Sequence, residues 1–222
     1  MFFIIPTPIG NLDDITKRAI DTINSLDILF CENTQNTNNL LLKFGITGIT
    51  LKKYVDYNEL RIIPEIISLL KIGKRIGIVS DAGYPTISDP GYKLIRAIKN
   101  EGLEYMVLPG ASSIIPTLIY SALPPANFVF IGFLSKKEGK LKGELLKYAG
   151  TTTIFFESPK RIVKTLKFIS DNFPQSQITV CREISKLHEE IVSGNILSVY
   201  EKFANRISVK GEISIAILIE NW

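Results

Sequence analysis

Short apolar runs alternate with amphipathic segments along the first half of the chain. The apolar runs have the length of buried strands, and they are Phe2 to Ile5, Asp27 to Cys31, Ile49 to Lys52, Ile76 to Val79 and Leu103 to Leu108. The amphipathic segments predict helices at Ile15 to Leu26, Glu59 to Ile72, Tyr92 to Lys99 and Ser112 or Ser113 to Tyr120. Such alternation is typical of a parallel sheet with helices on its faces.

The second half predicts a mixed sheet. Its strands are expected at Phe128 to Phe133, Thr152 to Phe156, Ile178 to Cys181, Glu189 to Ser193 and Glu212 to Ile219, and its helices at Glu138 to Tyr148, Lys160 to Phe173 and Ile196 to Phe203. Two consecutive strands with no helix between them, from Ile178 to Ser193, indicate a hairpin. The stiff connector Leu123 to Ala126 contains two prolines, so we expect one domain over residues 1–122 and another over 123–222.

The loop from Ser80 to Gly91 follows a strand, precedes a helix and contains two carboxylates. Asp89 and Pro90 suit the N-cap and first position of that helix, as Asp13 or Asp14 suits an earlier one and Ser158 and Pro159 a later one. Capping does not account for Asp81. Loops at the carboxyl ends of parallel strands form ligand crevices, and the loops at Thr7 to Asn11, Ser80 to Ser88 and Pro109 to Ser113 are rich in small residues. The polar run from Glu32 to Asn39 also predicts a loop.

Composition narrows the classes of function. The 222 residues are 45% hydrophobic and have a net charge of +4, which permits a nucleic-acid partner without requiring one. Cys31 and Cys181 form no Cys-x-x-Cys pair, so we expect a reducing cytoplasm and neither a disulfide framework nor a metal site. Tyr105 to Ser135 contains no charged residue, but its prolines and glycines favour buried strands and a short helix over a membrane span.

Common nucleotide and hydrolase motifs are missing from the sequence. It contains no Gly-x-Gly and no Gly-Lys-Ser/Thr, which excludes a Rossmann fingerprint and a P-loop. His188 is the only histidine, and we interpret it as a surface residue. These absences leave the strand-end loops as the candidate ligand site.

A basic region lies between Gly132 and Lys167. This region contains nine lysines and arginines but only three acidic residues. The basic residues are at positions 136, 137, 140, 142, 147, 160, 161, 164 and 167. Lys160, Lys164 and Lys167 are spaced to share one helix face, which is typical of a solvated surface and, with the loop lysines, of a phosphate-backbone footprint. Arg161 is predicted in the first turn of a helix, where the dipole disfavours a cation. A structural ion pair with Glu157 is favoured over a direct ligand contact.

Taken together, several motifs resemble the ribosomal RNA small subunit methyltransferase I family. They are Thr7 to Leu12, Cys31-Glu32, Ser80 to Gly83 with Pro85, Ser88 to Tyr92, Pro109-Gly110, Gly132 to Leu134, Phe156 to Pro159 with Arg161, Arg182-Glu183 and Lys210 to Glu212. They occur in order over nearly the whole chain. The resemblance implies the tetrapyrrole methylase (class III methyltransferase) fold, with two α/β domains and a cofactor cleft between them.

The resemblance also implies an activity. It is transfer of a methyl group from S-adenosylmethionine to the ribose 2′-hydroxyl of a cytidine in the decoding region of 16S rRNA, within the small ribosomal subunit, by a cytoplasmic homodimer without a membrane anchor. It assigns the loops containing Pro8, Ser80, Asp81, Ala82, Gly83, Pro85, Pro109, Gly110 and Ser112 to the cofactor. For catalysis the candidates are Asp81, Glu32 and Glu157 as base, with Arg161 or Lys210 steadying charge. The candidate RNA contacts are Lys136, Lys137, Lys140, Lys160, Lys164, Lys167 and Lys210.

Some positions depart from the family pattern. At two neighbouring positions this chain has Asn33 where the family has Asp and Gln35 where it has Arg. It also has Asp56 in place of His, Tyr84 in place of Thr and Ala111 in place of Pro. Loss of the arginine removes a bidentate phosphate contact. Two alternatives therefore remain open, a methyltransferase acting on a small tetrapyrrole-type molecule and an RNA-binding relative with impaired catalysis.

Overall fold

A computed structural model describes residues 1–220, and these divide into two compact units, one from Met1 to Ser112 and the other from Ser113 onward. The sequence placed the division after residue 122, at the proline connector. The structure places it before helix α5 (Ile114–Ser121), because α5 packs on the sheet of the second unit. Leu118 of α5 lies in one apolar cluster with Ile154 and Ala216.

The first unit is a five-stranded parallel sheet flanked by four helices. Its strands are β1 (Phe2–Ile4), β2 (Ile28–Cys31), β3 (Thr50–Lys53), β4 (Ile76–Ile78) and β5 (Tyr105–Val107). Its helices are α1 (Lys17–Asn24), α2 (Thr34–Lys43), α3 (Glu59–Lys71) and α4 (Tyr92–Asn100), with a 3-10 turn at Leu12–Asp14. The strand order is β3-β2-β4-β1-β5, and every pairing is parallel, as the alternation of elements predicts.

Helices cover both faces of this sheet. Successive residues of β1 point to opposite faces, so Phe2 packs with the α3 and α4 side chains, whereas Phe3 packs with those of α1 and α2. All three residues of β1 are buried. A strand buried on both faces is expected to be a continuous apolar run, which is the pattern that identified it.

The second unit contains a mixed sheet. Its strands are β6 (Phe128–Phe133), β7 (Thr152–Glu157), β8 (Gln177–Arg182), β9 (Glu190–Asn195) and β10 (Ile213–Leu218), and its remaining helices are α6 (Glu138–Leu146), α7 (Ile162–Asn172) and α8 (Ile196–Ala204). The order is β6-β7-β10-β8-β9; β6 and β7 are parallel and the other pairings are antiparallel. The antiparallel β8 and β9 confirm the predicted hairpin.

The predicted polar loop at residues 32–39 is wrong, because α2 begins at Thr34. Asn33 is the N-cap of α2, because its side-chain oxygen accepts hydrogen bonds from the backbone N–H groups of Gln35 and Asn36 at 3.0 and 3.2 Å. Burial of Thr37 and Leu41, four residues apart, then holds the helix against the sheet. Asparagine caps about as well as aspartate, so the Asn33 departure preserves this helix start.

The predicted caps are also corrected. Thr16 caps α1 in place of Asp13 or Asp14, because its side chain accepts the N–H of Ala19 at 3.1 Å. The N-cap position of α4 is Gly91, one residue after Pro90, and its φ of 131° suits glycine. Ser158 bonds the N–H of Lys160 within a turn, and α7 begins only at Ile162.

Within residues 1–220, no helix combines the length and apolar content that a bilayer span requires.

Candidate active site

The carboxyl ends of the parallel strands lie on one edge of the first sheet. The loops that leave β1, β4 and β5 at this edge contain every residue that the sequence assigned to the cofactor. Among them Pro8, Ser80, Gly83 and Pro85 are buried, whereas Pro109 and Gly110 are exposed. The fold therefore brings this predicted set to one edge of one unit.

A crevice is expected between β2 and β4, which are neighbours in the sheet. From β2 the chain continues through α2 to β3, and from β4 it continues through α4 to β5, in the opposite direction along the sheet. The two helices cover opposite faces, since Leu41 of α2 and Leu94 of α4 lie in different apolar clusters. Ligands of open α/β sheets bind at such a switch point. Glu32 directly follows β2 and Asp81 closely follows β4, so both predicted carboxylates lie there.

The Glu32 carboxyl group is partly buried among other acids. Burial raises its pKa to about 7, and the negative charges of Asp89, Asp81 and Asp56 act in the same direction. A hydrogen bond from the backbone N–H of Asp81 opposes the shift only in part. A carboxyl group with a pKa near neutrality can accept and release a proton at physiological pH, as a general base must.

Asp81 is exposed and held by the neighbouring helix. Its Oδ2 accepts a hydrogen bond from Asn36 Nδ2 at 3.2 Å, and Asn36 lies in the first turn of α2. Sequence reasoning missed Asn36 because it placed this segment in a loop. The contact fixes the direction of the Asp81 side chain beside Glu32.

Backbone pairing joins the β4 loop to the β1 loop. Thr7 and Gly83 exchange two backbone hydrogen bonds, at 2.9 and 3.1 Å. The Thr7 hydroxyl donates to the carbonyl oxygen of Ser80 at 3.0 Å, and the Ser80 hydroxyl donates to that of Gly83 at 3.1 Å. These hydrogen bonds join Thr7 of the β1 loop to the predicted cofactor residues Ser80 and Gly83 of the β4 loop, so the two loops form one hydrogen-bonded wall.

Glu59 fixes the C-terminal end of the loop after β4, where α4 begins. Its buried carboxylate accepts hydrogen bonds from the Tyr54 hydroxyl at 2.8 Å and the Gly91 N–H at 3.2 Å, and it pairs with Lys93 Nζ at 3.0 Å. Burial alone would raise the pKa of Glu59, but these three donors hold it below its usual value. Glu59 is thus an ionised anchor at the start of α4 that sequence reasoning did not single out.

Gly110 lies against the β1 loop. A Cβ atom at this position would come within 2.3 Å of Pro6 Cγ and 3.0 Å of Pro6 Cβ. The proline ring cannot rotate away as a long side chain can, so the close approach requires glycine.

Replacing Gly110 by alanine is therefore expected to destabilise the protein by about 1–3 kcal/mol, the usual cost of overpacking. Urea unfolding measures this change. The matched control is G143A, because a Cβ on Gly143 of helix α6 meets nothing within 4 Å. Equal unfolding midpoints for G110A and the wild type would show that the Pro6 contact relaxes at no cost.

Glu157 and Arg161 lie in the second unit with partners of their own. The fully buried Glu157 carboxylate accepts hydrogen bonds from the Ser158 N–H and the Thr165 hydroxyl, both at 2.6 Å. Arg161 Nη2 lies 3.5 Å from Glu157 Oε2, and the guanidinium also donates to the carbonyl oxygen of Leu134 at 3.2 Å. This geometry matches the structural ion pair favoured from the sequence. A catalytic role for either residue stays a prediction.

The lysines of the second unit that the sequence assigns to RNA contacts lie on its surface. Lys164 pairs with Glu138 at 3.2 Å, Lys167 with Asp171 at 3.0 Å, and Lys140 approaches Glu144 at 3.9 Å. Among the described residues, none forms an ion pair with the exposed Lys136, Lys137, Lys142 or Lys160. Lys210 is exposed too, and its carbonyl oxygen accepts a hydrogen bond from Arg182. An RNA contact by any of these lysines stays a prediction.

Glu190 connects two arginines near the β8–β9 hairpin. Arg206 forms a bidentate pair with it, at 2.6 and 2.9 Å, and Arg182 Nε lies 2.9 Å from the same carboxylate. The pKa of Glu190 is lowered to about 2, and the hydrogen bonds from Arg206 are the main cause. Arg182 lowers it further, whereas burial acts in the opposite direction.

Because its folded pKa is lowered, ionised Glu190 stabilises the protein above its ordinary pKa of 4.5, and this contribution is lost as pH falls toward about 2. E190Q is therefore expected to unfold at lower urea than the wild type at pH 7, with the difference shrinking below pH 4.5. Equilibrium unfolding across pH measures it. E201Q, on the exposed side of α8, is the control. A difference that stays constant down to pH 2.5 would contradict this linkage.

Comparison with known proteins agrees with the architecture. Residues 1–199 match the family model of the tetrapyrrole (corrin/porphyrin) methylases. Among solved structures, the methyltransferase CobJ superposes with a TM-score of 0.70 at 15% identity, covering 97% of this chain and 92% of the other. The uroporphyrin-III C-methyl transferase of Thermus thermophilus, solved with S-adenyl homocysteine, gives 0.66 at 15% identity, covering 97% and 96%. The chain belongs to the tetrapyrrole methylase family.

Curated relatives identify the branch. The ribosomal RNA small subunit methyltransferase I of Hydrogenobaculum sp. (strain Y04AAS1) is 41% identical over 99% of this chain and 96% of its own length. The protein of the same name from Bacillus subtilis (strain 168) is 39% identical over 98% of this chain and 74% of its own. The sequence resemblance and the fold class expected from it are both confirmed.

Proposed function

We propose that this protein transfers the methyl group of S-adenosylmethionine to the ribose 2′-hydroxyl of a cytidine in 16S rRNA. The observation that carries the proposal is the meeting of Glu32 and Asp81 at the switch point between β2 and β4. The relatives at about 40% identity bear names that specify small-subunit rRNA as their substrate.

The residues at this edge fit the cofactor. S-adenosylmethionine has a sulfonium and an ammonium group, and the edge presents the carboxylates of Glu32, Asp81 and Asp89, whose mutual repulsion a bound cation would relieve. Gly110, which lies close against Pro6, has no side chain, so a ligand can approach the backbone of the β5 loop at this position. When bound, the cofactor supplies an electrophilic methyl group.

Two tasks then fall to the chain. Holding the acceptor oxygen in line with the methyl group contributes on the order of 7–11 kcal/mol through positioning. Glu32 accepts the proton of the ribose hydroxyl, and its pKa of about 7 matches that task at cellular pH. Asp81, fixed by Asn36, holds the cationic end of the cofactor.

The exposed lysines of the second unit support an RNA substrate over a small tetrapyrrole-type molecule. Lys136, Lys137 and Lys160 present cations that can contact phosphates. Location within the small ribosomal subunit and in the cytoplasm follows from such a substrate.

Self-association into a homodimer is part of the proposal. The edge strand β5 of the first sheet exposes Tyr105, Met106 and Val107, and an exposed apolar edge favours pairing with a second chain.

The test is methyl transfer from labelled S-adenosylmethionine to small ribosomal subunits from a strain lacking 2′-O-methylation in the decoding region. Label is expected in 16S rRNA, in a dinucleotide that resists alkaline hydrolysis because its 2′-hydroxyl is blocked. Fully methylated subunits are the control and should take up none. Cofactor binding without transfer to RNA would favour the catalytically impaired alternative, and transfer only to a tetrapyrrole would favour the small-molecule one.

A further inference from the structure

Tyr84 connects two loops that leave strands separated in the sheet. Its hydroxyl accepts a hydrogen bond from the backbone N–H of Gly110 at 2.8 Å. Tyr84 belongs to the loop after β4 and Gly110 to the loop after β5, and β1 lies between those strands. The tyrosine side chain therefore crosses the end of β1 to reach its partner.

The length of the tyrosine side chain allows this contact. Strands in a sheet lie about 4.8 Å apart, so β4 and β5 are separated by about twice that distance. The loops themselves approach more closely than the strands, since a Cβ on Gly83 would lie 3.7 Å from the Ala111 carbonyl oxygen. A hydroxyl group placed on Cβ, as in the threonine that the family resemblance leads one to expect here, lies much nearer its own backbone than the phenolic oxygen does, so it would not reach the Gly110 N–H from the same backbone position. The contact is thus a property of this chain's own residue at position 84.

The hydrogen bond completes a network at the carboxyl edge. The β4 loop already pairs with the β1 loop through Thr7 and Gly83, and Gly110 of the β5 loop packs on Pro6. Tyr84 adds a side-chain hydrogen bond between the β4 and β5 loops and fixes the orientation of the Pro109–Gly110 peptide.

We propose that Tyr84 is a positioning residue for the cofactor, holding the β4 and β5 loops in their binding arrangement before the ligand arrives. The proposal rests on the proposed function, since it takes these loops as the cofactor site. Loops that are ordered in advance lose less freedom on binding, so the bond strengthens affinity without touching the reacting atoms.

The test compares Y84F with the wild type, because this change removes one oxygen and keeps the ring. Isothermal titration with S-adenosylhomocysteine is expected to show about threefold to tenfold weaker binding, the range for one neutral hydrogen bond. Methyl transfer should show a raised KM for the cofactor with kcat unchanged. The control is Y92F, an exposed tyrosine of the same unit whose ring lies over Arg96.

A second measurement reports on the bond itself. Without ligand, the Gly110 amide of the wild type should be protected from hydrogen exchange, and Y84F should lose that protection while other amides of the sheet keep theirs. Equal Gly110 protection in both proteins would overturn the proposal.

The outcomes separate this inference from the proposed function. A wild type that binds no S-adenosylhomocysteine contradicts the proposed function itself. If the wild type binds and Y84F binds equally well, the cofactor site stands and the role of Tyr84 is refuted. Tighter binding by Y84F also refutes it, since the hydroxyl would then be competing with the ligand for the Gly110 N–H.

Discussion

Replacing Asp81 by alanine is expected to weaken binding of S-adenosylhomocysteine by about 10- to 100-fold, the range for one hydrogen bond to a charged group, and to abolish methyl transfer at ordinary cofactor concentrations. Asp81 lies at the switch point with its Oδ2 oriented by Asn36 at 3.2 Å, so alanine removes both the charge and a fixed acceptor. Because the side chain is exposed, folding should be preserved. Isothermal titration and circular dichroism together measure the two properties.

The D81A experiment has two controls. D21A removes an exposed aspartate from α1 of the same unit and should bind as the wild type does. D81N keeps the shape of the side chain and removes the charge, so it should bind nearly as weakly as D81A if charge is what matters. Activity and binding unchanged in D81A would remove Asp81 from the site.

The same substitution should also act on Glu32. The charge of Asp81 is one of the causes that raise the pKa of Glu32, so its removal should move that pKa back toward its ordinary value. Titration of the Glu32 carboxyl by NMR measures this shift independently of the cofactor.

The alternation of elements was predictable because the central strands β2, β4 and β1 are almost entirely buried and therefore form continuous apolar runs, whereas the edge strand β5 is exposed and β3 is at most half-buried. Helix α2 was not, since its first turn is almost entirely polar and reads locally as a loop. The missed signal is Asn33 followed by Thr37 and Leu41, a cap and then two buried positions one turn apart. Its tertiary contacts outweigh its weak local propensity.

The candidate site shows a sharper limit. Each carboxylate could be placed at a strand end, but their proximity depends on β2 and β4 being neighbours, although β3 lies between them in the chain. Sequence periodicity carries no information on strand order. The contacts of Asn36 with Asp81 and of Tyr84 with Gly110 are invisible for the same reason, whereas the glycine-rich and proline-rich loops are recognisable from their composition.

Replacing Glu32 by glutamine is expected to lower kcat by about 10²- to 10⁴-fold, the usual contribution of a general base. In the wild type, kcat/KM should rise with pH and level off above about 7, because only the ionised carboxylate accepts the ribose proton and its pKa is raised to about 7. Binding of the cationic cofactor should lower that pKa, so kcat should level off at a lower pH than kcat/KM. Both profiles are measurable by label transfer to small subunits.

Stability should change in the opposite sense to activity. Burial and the neighbouring acids raise the pKa of Glu32 from 4.5 in the unfolded chain to about 7 in the folded protein. Between pH 4.5 and 7 the unfolded chain has lost the Glu32 proton and the folded protein still holds it, so the fold becomes less stable as pH rises. Above about pH 7 Glu32 is ionised in both states and destabilises the fold fully. E32Q should therefore melt at a higher temperature than the wild type at pH 8 and show no such gain at pH 4. E104Q, an exposed glutamate of the same unit, should change neither property. An E32Q protein with normal kcat at pH 8 would exclude Glu32 as the base, and the raised melting temperature would then reflect only the removal of a partly buried charge and of its repulsion by Asp89 and Asp81.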